Sequence, residues 1–483
     1  MVLNRRCFLV IGALAAGAVG TTASAQKAGS SQISTSQQRQ EVGITVYNDG
    51  FGLVREIREV PIGTGRVSLE FRDVSAQIQP ETVAIKPLGG AGQLKVFEQN
   101  YRYDLLSPQK LLEKYVGKKV KVYRWNEKLG TDTSYDAEVL SVNGGQSVLR
   151  INGEITYDFP GRIAFPEVPA NLIAKPTLVW LLDSTAAKQK VEVTYLTRGM
   201  GWKTDYVFTL NDKDDLGDLT GWVTLTNGTG AAYENAKLKL VAGNVQHFSP
   251  PSYYPSGYAT ASAAPASPPP PPKFAEEGFF EYHLYTLNQP TTILDNEQKQ
   301  VTLLEGKDVK VEKKLIFYGA DYYYRGSYGQ VESNKKVGVY LDIQNKETNH
   351  LGIALPKGIV RVYKADKSGA KQFIGEDQID HTPRDEKIRI KMGEAFDLVA
   401  DRKQTDWKPF GACVSESAWE ISVRNHKDSA ETVEIYEPAG GDWEIVSSSQ
   451  PATKKDQWTF TFDVKVAAKG ETKVKYRVRI RWC

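Results

Sequence analysis

The sequence predicts an all-β protein, built from several immunoglobulin-like β-sandwiches with a small SH3-like barrel inserted near the N-terminus. Apolar and polar residues alternate along most segments, as in Val191–Tyr195 and Val474–Trp482, and this alternation puts them on opposite faces of a strand. Only one segment has the features of a helix: Ser107 suits the N-cap, Pro108 the first turn and Gly117 the end.

The barrel is predicted from short strands that follow this helix. Alternating segments at Lys119–Tyr123, Ala137–Leu140, Ser147–Ile151 and Ile155–Tyr157 lie close together. The turn Asn152-Gly153 between the last two is a strong hairpin signal. Such barrels bind peptides or nucleic acid in other settings, but a fold alone fixes no function.

The length of 483 residues suggests two to four domains. We expect a signal peptide at 1–25, a disordered lead at 26–40, an N-terminal β domain at 41–175 with the SH3-like insertion at 117–165, a central β-sandwich at 176–345, and a C-terminal immunoglobulin-like β domain at 346–483. A proline-rich loop at 249–273 interrupts the central domain, since nine of the 23 residues from 250 to 272 are proline. This loop is either solvated without a specific role or a ligand for a proline-binding partner.

The N-terminal residues have the pattern of an export signal. Arg5 and Arg6 precede the uncharged apolar stretch Cys7–Gly20, and Ala23 and Ala25 frame a small-residue cleavage site. The paired arginines resemble a bacterial twin-arginine signal, with a plain secretory signal as the alternative. No later segment reaches eighteen apolar residues, so we expect no membrane span in the mature chain and a periplasmic or secreted location.

The net charge of +3 gives no reason to expect a nucleic-acid partner.

A short pattern recurs three times along the chain. Alternating strands end at an asparagine at Trp222–Asn227, Tyr340–Asn345 and Trp419–Asn425. Asparagine tolerates the left-handed backbone conformation that turns often need. We interpret the pattern as a recurring strand-turn-strand step of immunoglobulin-like sandwiches.

Several separated segments resemble a bacterial family called domain of unknown function 4139, which also forms the C-terminal part of proteins similar to mucoidy inhibitor A. The segments are Val46–Arg55, Gly201–Tyr206, Leu219–Asn227, Glu281–Tyr285, Leu355–Tyr363 and Tyr476–Arg479. The chain lacks the coiled-coil N-terminal region of the mucoidy-inhibitor-like members. The resemblance implies a β-rich exported architecture and supplies neither a reaction nor catalytic residues.

The residues themselves offer little catalytic or metal chemistry, and we expect no cofactor and no metal. Neither a Gly-x-Ser-x-Gly elbow nor a His-Glu-x-x-His motif occurs. His283 lies on a strand face. It is either a histidine that hydrogen-bonds to a neighbouring residue, or a metal ligand or acid–base group. The densest cluster of acidic residues comprises Asp212, Asp214, Asp215 and Asp218. These residues either form an exposed hairpin turn or bind calcium.

Aromatic residues give the best candidate for ligand binding. The predicted binding residues are Tyr318, Tyr322, Tyr323, Tyr324 and Arg325. Planar rings stack on sugars or anchor protein partners. The structural alternative is a loop folded over the end of a sandwich, with some of the rings buried.

The basic face of the last strand, Lys473 to Arg481, either holds an anionic ligand or pairs with acids on a neighbouring strand, for which Glu431, Glu434 and Glu437 are candidates. Cys413 and Cys483 are the only cysteines beyond the signal region, and we expect a disulfide between them in an oxidising compartment.

The sequence thus favours an exported envelope protein that binds or scaffolds an unknown envelope protein or glycan without catalysis. The alternative is a hydrolase of an envelope polymer, with carboxylates such as Asp205 or Glu281 in a cleft between domains.

Overall fold

The computed structural model describes residues 31–90, 92–128, 130–157, 159–169, 172–247, 274–331 and 336–483. Over these residues the chain forms 31 strands, one α-helix and four short 3-10 helices, which confirms the all-β sandwich prediction. The predicted signal residues Arg5, Arg6, Ala23 and Ala25 and the proline-rich loop lie outside the described residues. Within the described part of the chain, no helix has the length and apolar character needed to cross a bilayer.

The strands fall into four groups along the chain. The first group comprises β1 (Ser31–Ser34), β2 (Arg39–Tyr47), β3 (Phe51–Val60), β4 (Gly65–Arg72), β5 (Ala84–Leu88) and β6 (Leu94–Arg102). The insertion contains α1 (Pro108–Lys114), β7 (Lys119–Asn126), β8 (Thr131–Asn143), β9 (Gln146–Ile151), β10 (Glu154–Tyr157) and β11 (Arg162–Ala164). The central strands are β12 (Thr177–Ser184), β13 (Gln189–Arg198), β14 (Met200–Leu210), β15 (Leu216–Asn227), β16 (Tyr233–Ala242), β17 (Phe274–Phe279), β18 (Tyr282–Leu287), β19 (Thr291–Ile293), β20 (Glu297–Tyr318), β21 (Gln330–Val331) and β22 (Lys336–Gln344). The last strands are β23 (Gly358–Ala365), β24 (Lys371–Ile379), β25 (Lys387–Pro409), β26 (Val414–Asn425), β27 (Glu431–Pro438), β28 (Asp442–Ser448), β29 (Thr453–Lys454), β30 (Thr459–Val466) and β31 (Glu471–Arg481).

The N-terminal sandwich is formed by two sheets. One has the strand order β17-β18-β16-β2-β3-β13-β5, and the other has the order β1-β4-β12-β6. Their inner faces share a core with residues such as Val46, Val54 and Trp180, all fully buried. An ion pair also lies in this sandwich, since the Arg58 guanidinium contacts the Glu56 carboxylate at 2.7 Å and both side chains are buried.

The prediction of a disordered lead is wrong for residues 31–40. β1 pairs in parallel with β4, and β2 begins at Arg39. Between them, the backbone N–H of Ser36 donates to Asp73 Oδ2 at 2.9 Å. The polar composition suggested disorder, but a sheet edge supplies the backbone hydrogen bonds that this segment lacks by itself.

The insertion lies between β6 and β12, which pair directly with each other. The predicted helix α1 is present, and its N-cap Ser107 accepts a hydrogen bond from the backbone of Lys110 at 3.1 Å. The five strands form one antiparallel sheet of order β10-β9-β8-β7-β11 around a small core of their own. In the described residues β10 and β11 are the edge strands of this sheet and do not pair with each other.

Two long strands run through the remaining sheet, which has the strand order β24-β23-β14-β15-β20-β22-β25-β26-β31-β28. β20 has 22 residues and β25 has 23. β20 pairs with β15 along its first half and with β22 along its second, and β25 passes in the same way from β22 to β26. Val309 of β20 and Ile390 of β25 belong to one hydrophobic core. Leu315 and Leu398, farther along the same two strands, belong to the next one, the C-terminal core. Successive cores therefore share continuous strands.

The three asparagines of the recurring pattern have one structural role. In each, the side-chain amide donates to at least two backbone carbonyls. Asn227 donates to Ala231 and Leu294, and Asn345 to Ile353 and Pro383. Asn425 donates to Ser429, Val466 and Ala467. Each Oδ1 accepts a backbone N–H from the following turn. The left-handed conformation is not the reason for asparagine at these positions, because none of the three has a positive φ angle. Each side chain instead ties a strand end to its turn and to a second segment.

We expect Asn345→Ala to lower the free energy of unfolding by about 2–3 kcal/mol, because it leaves buried backbone groups without partners. Urea unfolding measures this loss. Asn143→Ala is the control, because Asn143 is exposed and its replacement should change stability by less than about 0.5 kcal/mol. Equal effects of the two substitutions would contradict the assigned role.

Candidate functional site

The predicted tyrosine segment divides into buried and exposed residues. Tyr323 and Tyr324 lie in a 3-10 helix and belong to the C-terminal core. Tyr318 is 36% exposed and Tyr322 is 42% exposed. Arg325 pairs with Asp321 and lies 5.6 Å from the ring centre of Trp482. Of the five predicted residues, two are therefore core residues and three remain accessible to a ligand.

Tyr318 belongs to an aromatic group that sequence reasoning missed. Its ring centre lies 5.1 Å from that of Tyr436 and 6.1 Å from that of Tyr340. The group forms because β20 and β27 run in parallel, with Tyr318 opposite Tyr436. The Arg389 guanidinium lies 5.8 Å from the Tyr340 ring centre and also contacts Tyr318 and Tyr436. No local signal links residues so distant in the chain, because a non-local strand pairing brings them together.

Tyr324 takes part in a buried polar network. Its hydroxyl donates to Glu437 Oε2 at 2.5 Å and lies 2.9 Å from the hydroxyl of Tyr476. Glu437 also pairs with the buried Arg402. Burial, with the nearby Glu437 carboxylate, raises the pKa of the Tyr324 hydroxyl well above its usual value. Tyr324 therefore holds the sandwich together and is not open to a ligand.

Three of the segments that carry the family resemblance meet at the loop 351–357, which precedes β23. Tyr206 donates to the carbonyl of Pro356 at 2.7 Å, Tyr285 to that of Ala354 at 2.9 Å, and Thr204 to that of Lys357 at 3.1 Å. Side-chain hydroxyl groups of β14 and of the hairpin strand β18 thus hold the loop by its backbone.

Beside this loop, His283 is part of a charged cluster. Its Nδ1 lies 2.9 Å from Glu276, which also accepts a hydrogen bond from Arg384 at 2.7 Å. Burial by itself would raise the pKa of the Glu276 carboxyl, but the bonds from Arg384 and His283 outweigh it and lower that pKa. His381 Nδ1 accepts the backbone N–H of Lys357 at 3.2 Å. Burial, followed by the Lys357 charge, lowers the pKa of the His381 imidazole.

The two carboxylates of the hydrolase hypothesis lie on separate elements. Asp205, on β14, pairs with Arg361 at 2.8 Å and with Lys203 at 3.6 Å. Glu281 is exposed in the turn between β17 and β18. The carboxylate that faces His283 is Glu276, which sequence reasoning did not identify.

Asp212, Asp214 and Asp215 of the acid cluster lie in the turn between β14 and β15, whereas Asp218 lies on β15. Asp214 contacts Lys313 at 2.8 Å and Lys364 at 2.5 Å. Burial opposes ionisation of Asp214, but the two lysines outweigh it and lower the pKa of its carboxyl. Among the described residues, no group of three or more His, Cys, Asp or Glu side chains is arranged to hold a metal ion.

The basic residues of the final strand pair with acids, but not with the ones that we expected. β31 lies beside β26 and β28, whereas Glu431, Glu434 and Glu437 are on β27. Arg479 pairs with Glu416 at 3.1 Å, and Lys475 pairs with Glu420 at 3.1 Å. The basic face is therefore balanced by the adjacent strand.

The structure joins Cys413 and Cys483 in a disulfide, with their Cα atoms 5.6 Å apart. Cys413 precedes β26 and Cys483 follows β31, and these strands pair along their whole length. The backbone N–H of Trp482 donates to the carbonyl of Cys413 at 2.8 Å. The disulfide thus fixes the C-terminal residue to the start of β26.

Comparison with known proteins gives one positive result. A search of the curated proteins found no match to the chain. A family model matches residues 191–483, which begin in β13 and include all three asparagine-terminated strands. Over this majority of its length, the chain belongs to the family described as domain of unknown function (DUF4139).

Proposed function

We propose that the chain is an exported envelope protein that binds or scaffolds an envelope protein or glycan, without catalysis of its own. The observation that carries this proposal is the sharing of β20 and β25 between successive cores. Continuous strands, unlike flexible linkers, restrain the movement of one sandwich against the next. This restraint suits a protein that holds its binding surfaces at fixed positions relative to one another.

The exposed tyrosines are the surface that we assign to ligand binding. Tyr318 and Tyr322 are partly exposed, and each has further aromatic rings beside it: Tyr340 and Tyr436 for Tyr318, Tyr328 for Tyr322. Tyrosine combines a large flat apolar area with a polar group and few rotatable bonds, which favours binding.

Export to the periplasm or beyond is part of the proposal. The paired arginines and the cleavage pattern at Ala23 and Ala25 support it. The disulfide between Cys413 and Cys483 supports it independently, because disulfides persist in oxidising compartments.

The test is capture from periplasmic extract and from envelope glycan fragments by the immobilised chain. We expect Tyr318→Ala with Tyr322→Ala to lose a species that the wild type captures, with an unchanged melting temperature. Tyr157→Ala is the matched control, since Tyr157 is 76% exposed and lies on the separate sheet of the insertion. This variant should retain capture. Identical capture by all three proteins, or cleavage of the glycan by the chain, would overturn the proposal.

A further inference from the structure

The hairpin formed by β17 and β18 ends in two exposed phenylalanines. Phe279 is 55% exposed and Phe280 is 86% exposed. Behind them, Leu284, Tyr285 and Leu287 are buried and anchor the hairpin to the sandwich. The tip is therefore a pair of large apolar side chains in solvent on a fixed support.

The backbone of Phe280 adds a second, independent feature. Its φ angle is +56°, in the left-handed region that is sterically unfavourable for a bulky residue. Nine other non-glycine residues of the described chain have a positive φ, and eight of them are Asp, Asn or His. At other turns of this kind the chain thus uses residues that tolerate the conformation. Phe280 departs from this usage and is also the more exposed of the two phenylalanines at the hairpin tip, which indicates a role outside folding.

The charge around the tip restricts the partner. The hairpin from Phe274 to Leu287 contains three glutamates and no lysine or arginine. Glu276 is neutralised by Arg384, whereas Glu277 and Glu281 are exposed. An anionic lipid surface would repel such a tip, but an apolar pocket with a basic rim would attract it.

We propose that Phe279 and Phe280 form a docking knob for a partner protein that has an apolar pocket rimmed by lysine or arginine. The two rings fill the pocket, and Glu277 and Glu281 meet its cationic rim. Buried aromatic anchors of this kind carry most of the binding energy in protein interfaces. This inference rests on the proposed binding function but places a second contact surface away from Tyr318 and Tyr322.

The first experiment is photo-crosslinking from the tip in periplasm. Phe280→p-benzoylphenylalanine should give an adduct with one other protein, identified by mass spectrometry. The control carries the same group at Phe373, which is also 55% exposed but lies on β24, and should not give this adduct. The same adducts from both positions, or an adduct only with a second copy of the chain, would overturn the proposal.

The second experiment measures binding of the purified crosslinked protein. Phe279→Ser with Phe280→Ser should weaken its affinity by roughly 30-fold or more. Phe373→Ser, which removes an equally exposed ring from β24, should leave this affinity unchanged. Phe280→Gly should weaken binding and yet raise the melting temperature by about 1–3 °C, because glycine relieves the backbone strain. Unchanged affinity in these hairpin variants, or binding of the tip to vesicles of phosphatidylethanolamine and phosphatidylglycerol, would disprove the knob. If the hairpin variants fail this test while the tyrosine double variant still loses its captured species, only the docking knob is disproved. The tyrosine surface of the proposed function then stands.

Discussion

Glu437→Leu is expected to destabilise the C-terminal sandwich by about 3–5 kcal/mol, because it leaves the Arg402 charge buried without a partner. Both side chains of this pair are almost completely buried, so water cannot replace the lost carboxylate. The hydroxyl of Tyr324 loses its acceptor in the same step. Urea unfolding measures the loss.

Two further variants distinguish this effect from a general loss of an ion pair. Arg402→Met combined with Glu437→Leu should restore much of the stability, because it removes both buried charges. Asp321→Leu breaks the exposed pair with Arg325 and should cost less than about 1 kcal/mol. A double variant that is as unstable as Glu437→Leu would show that packing around Glu437, and not the unpaired charge, causes the loss.

Cys413→Ser with Cys483→Ser should destabilise the chain by about 4 kcal/mol, since the bond closes a loop of 70 residues in the unfolded state. The measurement compares the oxidised chain, the chain with reductant and the double variant. Reductant should destabilise the wild type and leave the double variant unchanged. Thiol titration of the denatured, unreduced chain from Gln26 onward, which excludes Cys7 of the predicted signal, should find no free thiol. Two free thiols per chain would contradict the disulfide.

Much of the secondary structure could be predicted because it depends on local patterns. The helix at Ser107 needs only its own cap and apolar side, and the alternation in β31 is a property of neighbouring residues. The recurring asparagines were also visible in the sequence. Their physical role was not, because their hydrogen-bond partners lie up to 67 residues away.

The candidate site depended more strongly on tertiary structure. Tyr318, Tyr322, Tyr323 and Tyr324 look alike in the sequence, yet two face the core and two face solvent. The acids that balance β31 could not be chosen correctly, because adjacency in the chain does not decide which strands pair. The strained, exposed Phe280 had no local signal, since a φ angle is decided by the turn that the paired strands impose.

By itself, the sequence determined the all-β class, the strand segments and their inner and outer faces, and the composition that makes a disulfide possible. These follow from side-chain alternation and residue type, which act over a few neighbouring residues. Only the tertiary structure decided the strand order, the ordered β1, the buried pair of Arg402 and Glu437, and the division of the tyrosines. Strand pairing is non-local, because a strand's backbone groups can bond to any strand with a compatible face, and only the packing of the complete core selects among them.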